Sequence, residues 1–277
     1  MMTPQIHIEE RGERRLNMIF STEIQSLAKK LVTEIFTDLV FVSPSNRIYN
    51  SKMAKRVATM GTDNFFMHEY SILKKIREKK EKYGIDEVCS GATRMVIIFN
   101  EDSPLHGVVV KIPMGELNYC SRERKYYACA VDEKVEEYFA PIEYIGSVTI
   151  PVITTKVQIP LYLMTRAEYC QDDLYDLAAQ YLGERDLGEE CCVESLLDED
   201  ETYEEVDNET LIDRYLDRCE GEQVVEYALA EVGIAGELYD FCYRHNINDI
   251  HEDNVGMVID ENGFACYVVI DYAGFGS

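Results

Sequence analysis

Short runs rich in β-branched residues follow one another between residues 94 and 164. They read R-M-V-I-I-F (94–99), G-V-V-V-K-I (107–112), G-S-V-T-I-P-V-I-T-T (146–155) and P-L-Y-L-M (160–164), with turn residues between them. A further strand begins near Asp86, and a helical stretch over about 119–139 interrupts the series. The order of three strands, a helix and two strands predicts a mainly antiparallel sheet with one helix packed on it.

Helical patterns lie on both sides of this series. Between Ser21 and Val42, apolar residues recur at steps of three and four, and Thr22 and Gln25 have the spacing of a capping box. The apolar residues are Ile24, Leu27, Ala28, Leu31, Ile35 and Leu39. A second helix is predicted over about 64–82, and the sequence becomes helical again after Ala167.

Charge is unevenly distributed along the 277 residues, whose net charge is −25. Residues 1–84 carry 15 Lys and Arg against 10 Asp and Glu, whereas residues 184–222 carry 17 acids against three arginines. This sign argues against direct nucleic-acid binding. We interpret 184–222 as a solvated acidic insertion too poor in apolar residues to build a core, so that deleting 189–209 would leave a folded protein. The alternative is a docking surface for a basic or nucleic-acid-binding partner, as a mimic of nucleic-acid phosphates.

Cysteine usage and hydropathy bear on the compartment. The nine cysteines are scattered and include no C-x-x-C pair, and no stretch approaches the about 20 apolar residues of a membrane span. The first residues lack the apolar segment of a secretory signal. We therefore expect reduced thiols, no membrane association and a cytoplasmic location, which is the host cytoplasm if the protein is phage-encoded.

Three polar residues near the end of the chain form a candidate site. Residues 247–256 read I-N-D-I-H-E-D-N-V-G, and a predicted hairpin with the turn D-E-N-G (260–263) then leads to I-D-Y-A-G. The hairpin should return Asp271 to the neighbourhood of Asp249 and Asn254. One carboxylate to orient a hydroxyl group, with an amide and a second carboxylate to hold Mg²⁺, is what phosphoryl transfer requires.

This spacing, D-x-x-x-x-N followed by I-D-x-x-G, resembles the catalytic loop and metal-binding motif of the protein-kinase-like superfamily. The form D-x-H-x-x-N is most similar to that of aminoglycoside phosphotransferases and phage-encoded early protein kinases. The resemblance implies an α+β fold with two lobes: a small antiparallel-sheet lobe over 86–168 and a truncated helical lobe over 169–277. A helical N-terminal segment, 1–85, would precede them. Ordinary protein kinases continue beyond the position of Ser277 with the segments that bind peptide substrates, so the substrate is expected to be held elsewhere.

The resemblance also implies roles for residues of the sheet lobe. S-G-A-T-R-M-V-I-I-F looks like a reduced glycine-rich loop, with Gly91 at the turn. V-V-V-K-I looks like the third-strand motif whose lysine, here Lys111, reaches the nucleotide phosphates. Glu123 in the following helix would hold Lys111 in place, and Glu116 is a competitor for that role.

Nucleotide and metal contacts complete the implied site, whose cofactors would be ATP and Mg²⁺. L-Y-L-M-T-R-A-E-Y resembles the strand and hinge that cradle adenine, with Met164, Ala167 and Glu168 in contact with the base. The remaining implied residues are the acceptor-orienting Asp249 and the Mg²⁺ ligands Asn254 and Asp271.

Three functions follow from these patterns. The first is an active phage-type protein kinase that modifies host or phage proteins, since Lys111, Asp249, Asn254 and Asp271 are all present. The second is a catalytically weak or inactive kinase-like scaffold whose acidic surface binds and inhibits a basic or nucleic-acid-binding host factor. The third is a small-molecule phosphotransferase, for which the acidic segment would attract cationic substrates.

Overall fold

The computed structural model describes most of the chain after residue 19. The described residues are 20–37, 69–90, 93–113, 118–152, 155–197, 202, 205–260 and 262–273. They have a mixed α+β structure with an antiparallel sheet, which confirms the predicted class. The chain divides into two compact units, called here the sheet unit (17–128 and 141–166) and the helical unit (129–140 and 167–277, with the residues before 17).

Helices open the sheet unit: α1 (Thr22–Thr37), α2 (Glu69–Glu78) and α3 (Lys80–Tyr83). The cap of α1 differs from the predicted box, because the Ser21 hydroxyl accepts the hydrogen bond from the Ile24 amide at 3.2 Å. The Gln25 side chain instead donates to the Phe20 carbonyl at 3.0 Å. An N-cap hydroxyl accepts a hydrogen bond from the amide three residues later. The N-cap is therefore Ser21, one residue before the predicted Thr22. The predicted extensions, 38–42 and 64–68, lie outside the described residues.

The sheet follows the predicted order of elements. Its strands are β1 (Ile85–Ser90), β2 (Arg94–Phe99), β3 (Val108–Pro113), β4 (Ile142–Val152) and β5 (Thr155–Thr165), and helix α4 (Tyr119–Glu133) lies between β3 and β4 in the chain. Neighbouring strands run in the order β1-β2-β3-β5-β4, and every pair is antiparallel. The β-branched residues that predicted strands therefore form one sheet, with β3 at its centre.

The two faces of this sheet have different neighbours. One face contributes Met95, Ile97, Phe99, Val110, Ile112 and Leu163 to a core that also contains Leu31, Ile35 and Ile72 of α1 and α2. Because side chains alternate along a strand, Arg94, Lys111 and Met164 belong to the opposite face. The N-terminal helices thus cover the face that does not carry the candidate lysine. Each fully buried aliphatic side chain of this core contributes about 1.5–3 kcal/mol.

A charged contact joins α1 to α3 and gives a test of the packing. The Lys82 ammonium lies 2.6 Å from Glu34 Oε2, and its hydrogen bond lowers the pKa of Glu34 from 4.5 to about 2. A lowered carboxyl pKa stabilises the fold above the unfolded value and loses that contribution as the pH falls through the folded value. Glu34→Gln should therefore differ most from the parent near pH 6, by about 0.2–1 kcal/mol for a partly exposed pair.

This difference should shrink between pH 4.5 and pH 2 when urea unfolding is followed by circular dichroism. Lys82→Met removes the partner and should reproduce the pH dependence of Glu34→Gln. A difference that stays constant over this range would mean that the ion pair does not stabilise the helices.

Five α-helices and three strands lie wholly within the described part of the helical unit. They are β6 (Glu168–Tyr169), α5 (Gln171–Gly183), α6 (Leu187–Glu190), α7 (Asn208–Leu216), α8 (Gly221–Glu231), α9 (Ala235–His245), β7 (Val255–Ile259) and β8 (Ala265–Val269). The strands form a second antiparallel sheet in the order β6-β7-β8. The helix end near His245 and the hairpin at 260–263 are confirmed: Asp260 Oδ1 accepts from the Asn262 and Phe264 amides at 2.9 Å each. Within the described ranges, no helix is both long and apolar enough to cross a membrane.

The acidic segment differs from the expected solvated insertion. Helix α7 buries one face, made of Leu211, Ile212, Tyr215 and Leu216. Leu196 is also buried, and its carbonyl accepts a hydrogen bond from Arg214 at 3.1 Å. Deleting 189–209 would remove a buried leucine and this acceptor, and the folding of the shortened protein stays a prediction. The segment has few apolar residues, but those of α7 share one helical face, and that is enough to pack it.

Candidate functional site

Lys111 lies in the central strand of the sheet unit. It pairs with Val96 of β2 and with Tyr162 of β5, and only 4% of its surface is exposed. The apolar side chains of Val110 and Ile112 on either side fix the strand in the core. A buried ammonium group needs an anionic partner because desolvation disfavours an isolated charge.

Glu123 of helix α4 is that partner. The Lys111 ammonium lies 2.9 Å from Glu123 Oε1, and Glu123 is completely buried. Glu123 lies in the second turn of α4, where it faces the sheet. Glu116, the other glutamate considered for this role, lies outside the described residues.

A third charged residue, which the sequence analysis did not name, belongs to this cluster. Arg94 Nη1 lies 2.6 Å from the same oxygen, Glu123 Oε1, and Arg94 is 8% exposed. The signal that could have identified it is the strand register, because Arg94 precedes by two residues the Val96 that pairs with Lys111. Residues two apart in a strand share a face, so Arg94 and Lys111 approach α4 from the same side.

The residues predicted to contact adenine do not all belong to one unit. Met164 is 1% exposed and pairs with Val109 across β3 and β5, on the face of the sheet that carries Lys111. Ala167 and Glu168 belong to the helical unit, where Glu168 is exposed and pairs with Met257 of β7. Gly91 lies outside the described residues.

The loop that carries Asp249 is fixed at both of its ends. Helix α9 ends at His245, and Asn246 takes the left-handed conformation (φ 56°), which turns the chain out of the helix. Ile247 and Ile250 are then buried, which anchors the loop between them. The Asp249 side chain remains 30% exposed, so its carboxylate can meet a ligand from solvent.

Asn254 connects this loop to the hairpin. Its side-chain amide donates to the Asp249 carbonyl at 2.8 Å, and its own carbonyl accepts from the Ile270 amide at 2.8 Å. Asn254 precedes β7, whose first residue pairs with Val269 at the end of β8. The same end of the hairpin therefore presents Asn254 and the residues that follow β8, including Asp271.

The residues on both sides of Asp271 have defined contacts. Ile270 before it is held by the bond to Asn254, and Tyr272 after it is fully buried, with its hydroxyl donating to the Ala140 carbonyl at 2.9 Å. The Tyr272 ring also packs edge-on against Phe139, with centroids 5.1 Å apart. Asp271 itself is half-buried. Its position is thus defined by the chain on both sides.

His251 has a structural role in the loop. Its Nδ1 accepts a hydrogen bond from the Asp253 amide at 3.3 Å, which caps the short 3₁₀ turn Glu252–Asn254. Its Nε2 lies 3.0 Å from the Asn254 amide nitrogen and 3.6 Å from Asp249 Oδ1. The ring therefore packs between the two residues that the sequence assigns to chemistry.

The side chains at the end of the hairpin offer oxygen donors of the kinds that Mg²⁺ takes in proteins. Among the described residues, no group of three or more His, Cys, Asp or Glu side chains could hold a metal by itself. Mg²⁺ keeps several waters and commonly takes one or two protein oxygen ligands together with substrate phosphates. The amide oxygen of Asn254 and the carboxylate of Asp271 match that requirement, whereas a metal site made of protein ligands alone needs more of them.

Comparison of the chain with known protein families, with curated proteins and with solved structures gives no match. The candidate residues in the sheet unit are Arg94, Lys111, Glu123 and Met164, and those in the helical unit are Ala167, Glu168, Asp249, Asn254 and Asp271.

The acidic segment contacts the loop through Gly221, the first residue of α8. A β-carbon at Gly221 would lie 1.4 Å from Glu252 Oε2 and 2.2 Å from Glu252 Cδ, so the carboxylate occupies the space that a side chain would fill. Gly221→Ala should turn aside the Glu252 carboxylate, the end of a flexible side chain whose Oε2 atom is buried. We expect a loss of about 1 kcal/mol or less in the free energy of unfolding, because only the end of that side chain has to move.

Gly236→Ala is the matched control, because a β-carbon there would meet nothing within 4 Å and Gly236 lies within helix α9. This variant should gain about 0.5–1 kcal/mol from the helix preference of alanine. Urea unfolding measures the change in the free energy of unfolding for both variants. Equal behaviour of the two variants would mean that Glu252 moves aside without loss of stability.

Proposed function

We propose that this protein is an ATP- and Mg²⁺-dependent phosphotransferase, a phage-type protein kinase that transfers phosphate to a hydroxyl group of a host or phage protein. The observation that carries the proposal is the buried ion pair between Lys111 and Glu123, 2.9 Å apart. In protein kinases, the third-strand lysine contacts the nucleotide phosphates and is held by a glutamate of the following helix. Here the same pair of residue types joins β3 to α4.

Each set of residues has a separate task. Lys111 binds the nucleotide phosphates, and the apolar surface of Val109 and Met164 packs against the adenine base. Mg²⁺, when bound, neutralises charge on the phosphates. Asn254 and Asp271 would hold it.

Asp249 is the residue that faces the acceptor. Its carboxylate is exposed enough to accept a hydrogen bond from an incoming hydroxyl group and to orient it for attack. Its backbone is held independently, through the carbonyl that accepts from Asn254 at 2.8 Å. This separation suits a catalytic carboxylate, because the reactive group is free to meet the substrate while the main chain stays fixed.

The test is transfer of labelled γ-phosphate from ATP with Mg²⁺, to the protein itself, to proteins of a bacterial lysate and to an aminoglycoside. Lys111→Met keeps the apolar stem of the side chain and removes the charge, and Arg94 still pairs with Glu123 at 2.6 Å, so the fold should persist. We expect transfer to fall about 10²–10³-fold, the usual effect of removing one electrostatic donor. The matched control is Lys125→Met, which changes an exposed lysine of α4, the helix that carries Glu123. It should behave as the parent.

The other outcomes separate the alternative functions. Label on the aminoglycoside and on no protein would identify a small-molecule phosphotransferase. ATP binding without any transfer, together with binding of a basic protein, would identify a scaffold whose acidic surface is the functional part. Equal transfer by the parent and Lys111→Met would exclude the proposed role of Lys111.

A further inference from the structure

Arg94 is a buried cation that shares its carboxylate oxygen with Lys111. Its Nη1 atom lies 2.6 Å from Glu123 Oε1, and the Lys111 ammonium lies 2.9 Å from the same atom. The exposed fractions are 8% for Arg94, 4% for Lys111 and 0% for Glu123. The arginine contact is the shorter of the two, so Glu123 is held at least as closely by Arg94 as by the lysine.

The strand register explains how both cations reach one oxygen. Lys111 pairs with Val96, and Arg94 lies two residues earlier on the same strand as Val96. The two side chains are therefore diagonal neighbours on one face of β2 and β3, a separation that long side chains bridge. Helix α4 places Glu123 over this diagonal.

When Lys111 donates hydrogen bonds to phosphates, its contact with the Glu123 carboxylate is weakened. A carboxylate that is completely buried and loses its only cation would be strongly destabilised. Arg94 prevents this, because a guanidinium group stays protonated at all physiological pH values and donates independently of Lys111. Glu123 can then remain ionised and in place while Lys111 binds a ligand.

We infer that Arg94 is a positioning residue for phosphoryl transfer: it acts through Glu123, fixing the carboxylate that orients Lys111, and does not itself bind the nucleotide. This inference rests on the proposed kinase function. It assigns the orientation of the catalytic lysine to two contacts on Glu123, one from β2 and one from β3, in place of a single lysine–glutamate pair.

The test is a double-mutant cycle between Arg94 and Glu123, in the full-length chain, with turnover normalised to the folded fraction. Arg94→Met should lower kcat about 10–100-fold with a smaller change in KM for ATP, because Lys111 is misplaced for transfer more than for binding. In a Glu123→Gln background, Arg94→Met should cause no further loss, since the residue through which Arg94 acts has already been changed. A purely structural role would change the amount of folded protein and leave kcat per folded molecule at the parent value.

Arg94→Lys is the second variant and keeps a cation near Glu123. It should restore part of the kcat lost in Arg94→Met, and it carries the cycle if Arg94→Met does not fold. If Arg94→Met lowers kcat equally in the parent and in the Glu123→Gln background, Arg94 contacts the nucleotide directly and the inference is overturned. An unchanged kcat in Arg94→Met would also overturn it. A parent protein that neither binds a fluorescent ATP analogue nor transfers phosphate would overturn the proposed function as well, which distinguishes the two failures.

Discussion

Replacing Asp271 with alanine is expected to abolish Mg²⁺-dependent ATP binding and turnover while the protein stays folded. The loss follows from the proposed metal ligands, because Asp271 would supply the carboxylate oxygen, and the Asn254 amide alone is a weak ligand for a divalent cation. The fold should persist because neighbouring residues fix the backbone. Ile270 donates to the Asn254 carbonyl at 2.8 Å, and Tyr272 is fully buried, with its hydroxyl bonded to Ala140.

The measurement is binding of a fluorescent ATP analogue during a Mg²⁺ titration, with labelled phosphate transfer measured in parallel. Asp213→Ala is the control, because it removes one exposed carboxylate from helix α7. It therefore changes the net charge by the same amount as Asp271→Ala. The parent and the control should both gain affinity with Mg²⁺, and Asp271→Ala should not. Parent-like turnover in Asp271→Ala would show that another residue holds the metal.

The parts of the structure that the sequence predicted are those decided by neighbouring residues. β-branched residues favour extended backbone wherever they cluster, so R-M-V-I-I-F and V-V-V-K-I identified β2 and β3 without reference to the rest of the chain. The hairpin between β7 and β8 was equally local, because D-E-N-G supplies both the capping carboxylate of Asp260 and a glycine with positive φ at Gly263 (84°). Short-range chemistry determines such elements.

What the sequence did not predict depends on register and on helix orientation. Arg94 looks like an ordinary strand-end residue until the pairing of Val96 with Lys111 places it on the face that α4 covers. Likewise, the acidic segment looked solvated because its composition is averaged over many residues. The burial of Leu211 and Tyr215 arises from their spacing on α7, which composition does not record.

The pair of Lys111 and Glu123 was predicted from the sequence only in part. The sequence resemblance proposed Glu123 from the order of the motifs, with Glu116 as a competitor for the role. The structure places Glu123 in α4 with its carboxylate on Lys111. This contact depends on the rotation of α4 relative to the sheet, a property of packing between distant parts of the chain.

Replacing Asp249 with asparagine is expected to lower phosphoryl transfer about 10²–10⁴-fold, the usual contribution of a positioned acid–base group. ATP and Mg²⁺ should bind with nearly unchanged affinity, because the proposed metal ligands are Asn254 and Asp271. The substitution keeps the shape of the side chain and removes its charge. It also leaves the backbone contact intact, since the Asn254 side chain bonds to the carbonyl of residue 249 at 2.8 Å.

A second acid of the same loop provides the control. Asp253→Asn makes the same chemical change four residues later, at a side chain that is 64% exposed and accepts a hydrogen bond from Gln171 at 3.1 Å. Single-turnover transfer and equilibrium binding of the ATP analogue, measured on both variants, separate catalysis from affinity. Asp253→Asn should match the parent in both. A loss of nucleotide affinity in Asp249→Asn equal to its loss of transfer would assign Asp249 to binding, and full transfer would exclude it from the reaction, because no acceptor hydroxyl would then depend on its charge.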